Sequence, residues 1–484
     1  IYLALFSVYL FVQNISVDQQ DHFVLALAVT LLISSILLGG LGIYQFIAHD
    51  IVPGKAIKTP VIGSFGSPNA FGNWLALGFF AGLYLYRKLE NRPFKIILIF
   101  FLWVIFCALL LTESRGGILS FSIALAVWYL IKTQRKKRWY FLSIILVVCL
   151  FLFLFFLNKE SSMGRVNIWY ISLEMFRDHP LFGVGIRNIG NEFMIYQGEY
   201  LHTHSNILDS KAAFVRSAHN EYLQAFVEGG LIGGGLFAIV ILMVVYAAIK
   251  NRKKDYFLLA GVFLSIILAH SFVDSILHFT PQLVLLYILI GLFDSNRFSF
   301  RGKFKIGVIG LFIPVLLFSV LVLFNQTKGR HYWAQGNYYT KLEAFPIAES
   351  YFEQGLTYLP NEGELLFHYG AVLAVNKNPE RGIYFLELAS ESFLDKNLFL
   401  ALSNAYLENN KPEIAISYAD SVLYFFPDLL APSLIKGEAY YRLENYVKSK
   451  KELLRCINQE TGIKSGDTFQ ISQEAQELWE SFNY

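Results

Sequence analysis

Up to about residue 325 the chain alternates long apolar runs with short polar connections, the pattern of helices that cross a membrane. The runs at 23–48 (FVLALAVTLLISSILLGGLGIYQFIA) and 139–157 (WYFLSIILVVCLFLFLFFL) are long enough, at helical rise, to span roughly 30 Å of hydrocarbon. Ten such spans are visible, near 1–13, 22–48, 71–86, 96–112, 116–131, 139–157, 231–249, 256–276, 277–293 and 306–324. Basic clusters sit in four of the connections, RKLENRPFK (87–95), KTQRKKR (132–138), KNRKK (250–254) and NRFSFRGKFK (296–305). Positive residues mark the cytoplasmic side, so all four clusters agree on one topology. It sends 49–70, the turn 112–117, the long loop 158–218 and everything after 325 to the outer face. A cytoplasmic N-terminus requires an odd number of spans before the long loop, and six are visible, so one or three helices are expected ahead of Ile1.

Beyond residue 330 the apolar runs shorten, charges become regular and the sequence repeats. Ala371, Ala405 and Ala439 recur every 34 residues, Tyr406 and Tyr440 keep the same period, as do Asn376 and Asn410, and Pro360 and Pro427 lie 67 apart. A 34-residue period of helical pairs, with small residues where helices approach, resembles tetratricopeptide repeats. The expected fold is therefore all-α: a polytopic transmembrane helix bundle over 1–325, carrying the loop 158–218, followed by an α-solenoid of tetratricopeptide-like repeats over 331–484.

Composition supports this division. Of 484 residues, 55% are hydrophobic and only 16% charged, too little polar material for a soluble protein of this size. A formal net charge of +3 implies no polyanionic partner, and no nucleic acid is expected. Cys107, Cys149 and Cys456 share no metal spacing and offer no disulfide framework. There is no GxxxxGK[ST] loop to cradle a nucleotide. His202 and His204 form a His-x-His, but no acidic or cysteine cluster completes a coordination shell, so neither metal nor other cofactor is expected.

On the expected topology, four polar motifs bearing glycine collect at the outer face: GSFGSPNAFGN (63–73), TESRGG (112–117), GRVNIWYISLEMFRDHPLFGVGIRNIG (164–190) and HNEYLQAFVEGG (219–230). Arg115 and Glu113 are the two charges between residues 96 and 131, and a guanidinium at that depth requires an anionic partner or access to the interface. Arg165, Arg187 and Arg216 add positive charge in the long loop. Guanidinium groups pair bidentately with phosphate oxygens. His219 is the candidate general base, since a neutral imidazole takes a proton from a hydroxyl nucleophile. Glu228, nine residues on, is half a turn out of phase and orients His219 only if the helix breaks. His270 and Asp274, ionisable groups in an apolar stretch, suit either a proton path or the outer end of the same pocket.

These motifs resemble the O-antigen ligase and O-antigen polymerase superfamily of bacterial membrane glycosyltransferases. The ligase pattern of His, then Asn, Ser or Gln, nine residues, Gly, two residues, and Gly, Thr or Tyr is matched by His219, Asn220, Gly230 and Gly233. Arg115 and Leu119 match the family's Arg-x-x-x-Leu pattern, and Arg165, Trp169, His179, Pro180, Gly183 and Gly185 look like its long-loop signature. His204 with Ser205 fails the ligase pattern, because Val215 stands at the glycine position. The resemblance covers roughly residues 60–295. It implies a transfer without metal or nucleotide at the periplasmic face of the bacterial inner membrane, from a glycan linked through diphosphate to undecaprenol.

In that scheme His219 activates the acceptor hydroxyl and Arg115, Arg165 and Arg216 hold the donor diphosphate, with Asn69, Asn220, Glu228, Gly230 and Gly233 in support. The acceptor is lipid A core for a ligase, a growing glycan for a polymerase or a protein hydroxyl for an oligosaccharyltransferase. The repeats, also periplasmic, are open to a protein partner. A glycan flippase or other transporter, using His270 and Asp274, is the alternative from a different class.

Overall fold

The computed structural model describes residues 2–15, 17–51, 61–133, 137–157, 159–203, 215–250, 255–293, 303–458 and 466–481. Among them every regular element is a helix. In chain order come α1 (Tyr2–Gln13), α2 (Val17–Ile51), α3 (Pro68–Lys88), α4 (Arg92–Leu111), α5 (Arg115–Thr133), α6 (Lys137–Leu157) and α7 (Lys159–Asp178). Next are α8 (Ile189–Thr203), α9 (Glu221–Lys250), α10 (Asp255–Ser271), a single 3-10 turn Ile276–His278, α11 (Thr280–Phe293) and α12 (Lys303–Lys341). The chain finishes with α13 (Phe345–Tyr358), α14 (Gly363–Val375), α15 (Pro379–Ser390), α16 (Lys396–Glu408), α17 (Pro412–Phe425), α18 (Ala431–Arg442), α19 (Tyr446–Ile457) and α20 (Gly466–Glu480).

Each expected apolar span falls within or largely within one helix, but the match in length is uneven. Among the described residues three helical segments have the length and composition of a membrane crossing: Gln19–Ala48, Arg92–Leu111 and Glu221–Lys250. Others are shorter apolar helices, among them Ala4–Gln13, Arg115–Leu130, Tyr256–Ser271 and Thr280–Phe293. Apolar runs ending at Ser271 or beginning at Thr280 are cut by the polar stretch between them, which shapes the site described below. The basic stretches 250–254 and 296–305 lie largely outside the described residues, as do residues 134–136 of the stretch 132–138, and His204 lies outside them too.

The chain divides into two compact units, Ile1–Ile186 with Ser217–Leu316, and Arg187–Arg216 with Leu317–Tyr484. The division differs from the expected one over 187–216, which groups with the repeats and not with the apolar helices.

In the first unit α3 is central, contacting α2, α4, α5 and α10 and burying residues around most of its circumference. On α4 the buried positions Leu98, Leu102, Ile105, Ala108 and Leu109 form one stripe at helical spacing, whereas Ile96, Phe100 and Trp103 are exposed. An outward face this apolar is what a lipid-facing helix presents. Lipid tails are as apolar as leucine, so close packing and interhelical hydrogen bonds must hold such a bundle. The unit supplies them: the Trp74 indole donates to Ser34 Oγ at 3.2 Å, Gln282 Nε2 to the Ala70 carbonyl at 3.0 Å and the Tyr256 hydroxyl to Gln20 Oε1 at 2.7 Å.

In the second unit the repeat period has a backbone cause. Left-handed φ angles recur at Glu343 (58°), Lys377 (61°), Asn410 (54°) and Glu444 (59°). After each, an amide reaches back five residues: Ala344 to Tyr339, Asn378 to Leu373, Lys411 to Tyr406 and Asn445 to Tyr440, at 2.8–3.0 Å. This is the helix-ending bond that satisfies a carbonyl the helix leaves open. Proline in the first turn of α13, α15 and α17 then starts the return helix. Ala405 and Ala439 are fully buried where successive helices meet, as their 34-residue period anticipates.

Lys436 on α18 ties three helices, with Asp420 of α17 and Glu452 of α19 both at 2.8 Å. The Lys436 side chain is 11% exposed and that of Glu452 16%, so the pair is screened less than a surface bridge. Lys436→Met is expected to lower the unit's unfolding free energy by about 1–2 kcal/mol, read by denaturant titration of the full chain.

Candidate functional site

Asn220 is the N-cap of α9: its Oδ1 accepts the amides of Tyr222 and Leu223, both at 3.0 Å. The residue before it, His219, has φ +48°, a left-handed backbone that a non-glycine residue holds at a cost. The motif's first two residues are thus a helix start and a strained residue set directly ahead of it. His219 Nδ1 lies 2.9 Å from Asp274 Oδ1, and its side chain is 39% exposed.

Asp274 stands three residues beyond the end of α10, where its amide still bonds the His270 carbonyl at 3.0 Å and its Oδ1 also accepts the Ser275 amide at 2.9 Å. Asp274 is 9% exposed, and with the proton of the imidazole on Nδ1 its carboxylate is placed to hold the ring and to stabilise an imidazolium at His219.

The two arginines that sequence places far apart line one pocket. Arg115 and Arg165 share it with Phe151, Leu154, Val166 and Trp169, so the walls between the cations are largely apolar. Arg115 opens α5 and donates to Ser162 Oγ at 2.8 Å and Ser161 Oγ at 2.7 Å. Arg165 on α7 donates to the Val273 carbonyl at 2.7 Å. Two guanidinium groups in a low-dielectric recess repel each other, and an anion bound between them relieves that repulsion. The pocket adjoins the histidine through two connections: Val273 lines it and precedes Asp274, and the Trp169 indole donates to the Ala218 carbonyl at 3.0 Å. Gly116 makes this approach possible, because a Cβ there would stand 2.7 Å from His270 Nε2 and 3.0 Å from a Val273 methyl.

Gly230 breaks α9 with φ +61° and ψ −162°, a conformation essentially restricted to glycine. Across the break runs the HPLFGVG segment: Leu231 and Ile232 donate to the carbonyls of Pro180 (2.8 Å) and Leu181 (3.3 Å), and Val184 and Gly185 to those of Val227 (2.9 Å) and Glu228 (3.1 Å). The loop signature and the glycine motif are therefore two halves of one structure. A Cβ on Gly230 would collide with the Leu181 carbonyl. Gly230→Ala is expected to destabilise the first unit by about 3 kcal/mol, measured as a lower denaturation midpoint in detergent.

The other expected polar site residues have their own partners. Asn69 accepts a hydrogen bond from Ser114 Oγ at 2.8 Å, bracing the turn before Arg115. Glu228 accepts from Gln224 Nε2 at 2.9 Å, and the carboxylate that meets His219 is Asp274. Nothing approaches within 4 Å of a Cβ built on Gly233. Arg216 belongs to the second unit, where it pairs with Glu364 at 3.1 Å. Sequence reasoning left Asp274 open between a proton path and the outer end of this pocket; its signal was a charge in an apolar stretch, and its partnership with His219 was not among the expectations. Gln224 had no signal: its Oε1 accepts from the Ala218 amide and Ser275 Oγ, both at 3.2 Å, tying the segment before His219 to the one after Asp274. His270, the other candidate for such a path, bonds Asn73 at 3.2 Å in the core. Among the described residues no group of three metal-ligating side chains occurs.

Comparison with known proteins gives a family likeness over part of this site. Residues 100–238 match the family described as O-Antigen ligase, a stretch that contains Arg115, Arg165, His219 and Gly230. A Haemophilus influenzae protein, described only as uncharacterized, is 26% identical over 187 residues, which is 38% of this chain. The match spans 39% of that relative's length. A solved chain from the APC/C hetero-tetramer Cut9-Hcn1 aligns over 84% of this chain and 81% of its own, at 14% identity and a TM-score of 0.31.

Proposed function

We propose that the protein is a bacterial inner-membrane glycosyltransferase that moves a glycan from undecaprenyl diphosphate to an acceptor hydroxyl, lipid A core first among acceptors, at the periplasmic face. The observation that carries this reading is the pairing of a two-arginine, apolar-walled pocket with an adjoining His219–Asp274 dyad. The ligase-family match over residues 100–238, which include Arg115, Arg165 and His219, supports it.

The residues divide the reaction between them. With Nδ1–H directed at Asp274, His219 Nε2 carries the lone pair that takes the acceptor hydroxyl's proton. The acceptor oxygen attacks the anomeric carbon, and the bond from that carbon to the diphosphate oxygen breaks on the opposite face. Inversion results, and the electron pair leaves with the lipid diphosphate. Arg115 and Arg165 receive the charge that develops there, an electrostatic role that preorganised cations perform best in a dry site. Asp274 holds the imidazole's orientation and stabilises the imidazolium until the proton is released. The apolar walls suit the lipid end of such a donor, and the half-exposed His219 suits an acceptor arriving from water.

The test is a comparison of glycans from cells lacking the protein and complemented with the wild type. Polymer stranded on the lipid carrier beside bare lipid A core, cured by the wild type, supports ligation. Lipid A core capped with single repeats instead assigns a polymerase, and an unchanged glycan profile removes the transferase reading.

A further inference from the structure

The second unit contains a segment that is not part of its repeats. Helix α8 lies against α17, with Met194 buried in a cluster formed with Leu394, Phe399, Val422, Phe425 and Phe426. A Cβ on Gly198 would stand 2.7 Å from the Phe425 ring, so the helix is seated too closely for a side chain at that position. Asn191 Oδ1 accepts the Leu394 amide at 3.3 Å. At the other end of the segment Arg216 pairs with Glu364 at 3.1 Å and lies over the Phe393 ring at 5.6 Å. One stretch of the long loop is therefore held at two places, on α17 and at the start of α14.

We infer that the repeat unit acts in cis, as a clamp on the chain's own loop, and that the occupant of this surface is α8 together with Arg216. The contacts are those of a specific seat: a nearly buried Met194, a glycine at the closest approach and a charge pair at the exit. A surface filled this way is not open to a protein partner while α8 remains in place. The clamp ends three residues before His219 in the chain, so it restrains the segment that delivers the general base. Arg216 is thereby a positioning residue acting through Glu364, and its place is in the clamp, not on the donor diphosphate.

Hydrogen exchange of the full chain in detergent tests the clamp without reference to any activity. Gly198→Leu is expected to raise exchange of the 189–203 amides by about tenfold while the 363–390 amides keep their protection. Glu364→Arg is expected to raise exchange at 215–218, and the double swap Arg216→Glu with Glu364→Arg to restore it. Unchanged exchange at 189–203 in Gly198→Leu overturns the inference. A second arm rests on the transferase reading: the double swap is expected to recover most of the transfer lost in Glu364→Arg, whereas recovery of protection without recovery of transfer overturns the positioning role. Should the wild type transfer nothing, that reading fails while the exchange result still decides the clamp.

Discussion

His219→Ala is expected to reduce glycan transfer by about 10²–10⁴-fold while changing donor affinity by no more than about twofold. The imidazole is placed by contacts that alanine leaves standing: the Asn220 cap, the Gln224 bonds and the Trp169 indole on Ala218. Folding should therefore survive, and the loss should fall on kcat. Asp274→Asn is expected to lower kcat by a smaller factor, because the amide keeps a hydrogen bond to Nδ1 but not the negative charge. Steady-state kcat of the wild type and Asp274→Asn, measured at saturating donor, checks the assignment.

The second large effect is on the leaving group. Arg165→Gln and Arg115→Gln are each expected to cost about 10²–10³-fold in kcat, the scale for removing one preorganised donor from a developing anion. Lysine should not rescue either position fully, since it lacks the planar fork that meets two phosphate oxygens at once. The two variants should differ in stability. Arg115 spans α5 to Ser161 and Ser162, whereas Arg165 makes a 2.7 Å bond to the Val273 carbonyl beside the dyad. Arg165→Gln is thus expected to disturb the His219–Asp274 geometry as well, and the double substitution with His219→Ala should cost less than the sum of the two. Steady-state transfer rates on the single and double variants test this.

The sequence carried these predictions unevenly. Helices were legible wherever apolar runs were, because helical hydrogen bonding is the only local way to satisfy the backbone in such segments. Repeats were legible because the helix-ending turn at Lys377, Asn410 and Glu444 recurs with the period of its backbone bond. Arg115, Arg165 and His219 stood out as charges or an imidazole in sparse surroundings. Their mutual placement was not legible, since it depends on how α5, α7 and α10 cross. Asp274 shows the limit clearly. Its charge was visible, but its partnership with His219 across 55 positions depends on α10 ending at Ser271. Arg216 shows the converse: its positive charge in the long loop suggested the donor diphosphate, while its ion pair lies on the repeats.

The central claim is that one site joins a diphosphate-holding arginine pair to a histidine base. The most direct measurement follows release of lipid diphosphate from a purified, lipid-diphosphate-linked glycan donor, with and without acceptor. Wild type should release it only with acceptor present, in step with glycosylated product, and His219→Ala should bind the donor yet release almost none. Full-rate release by His219→Ala, or release by wild type with no product formed, would contradict the account.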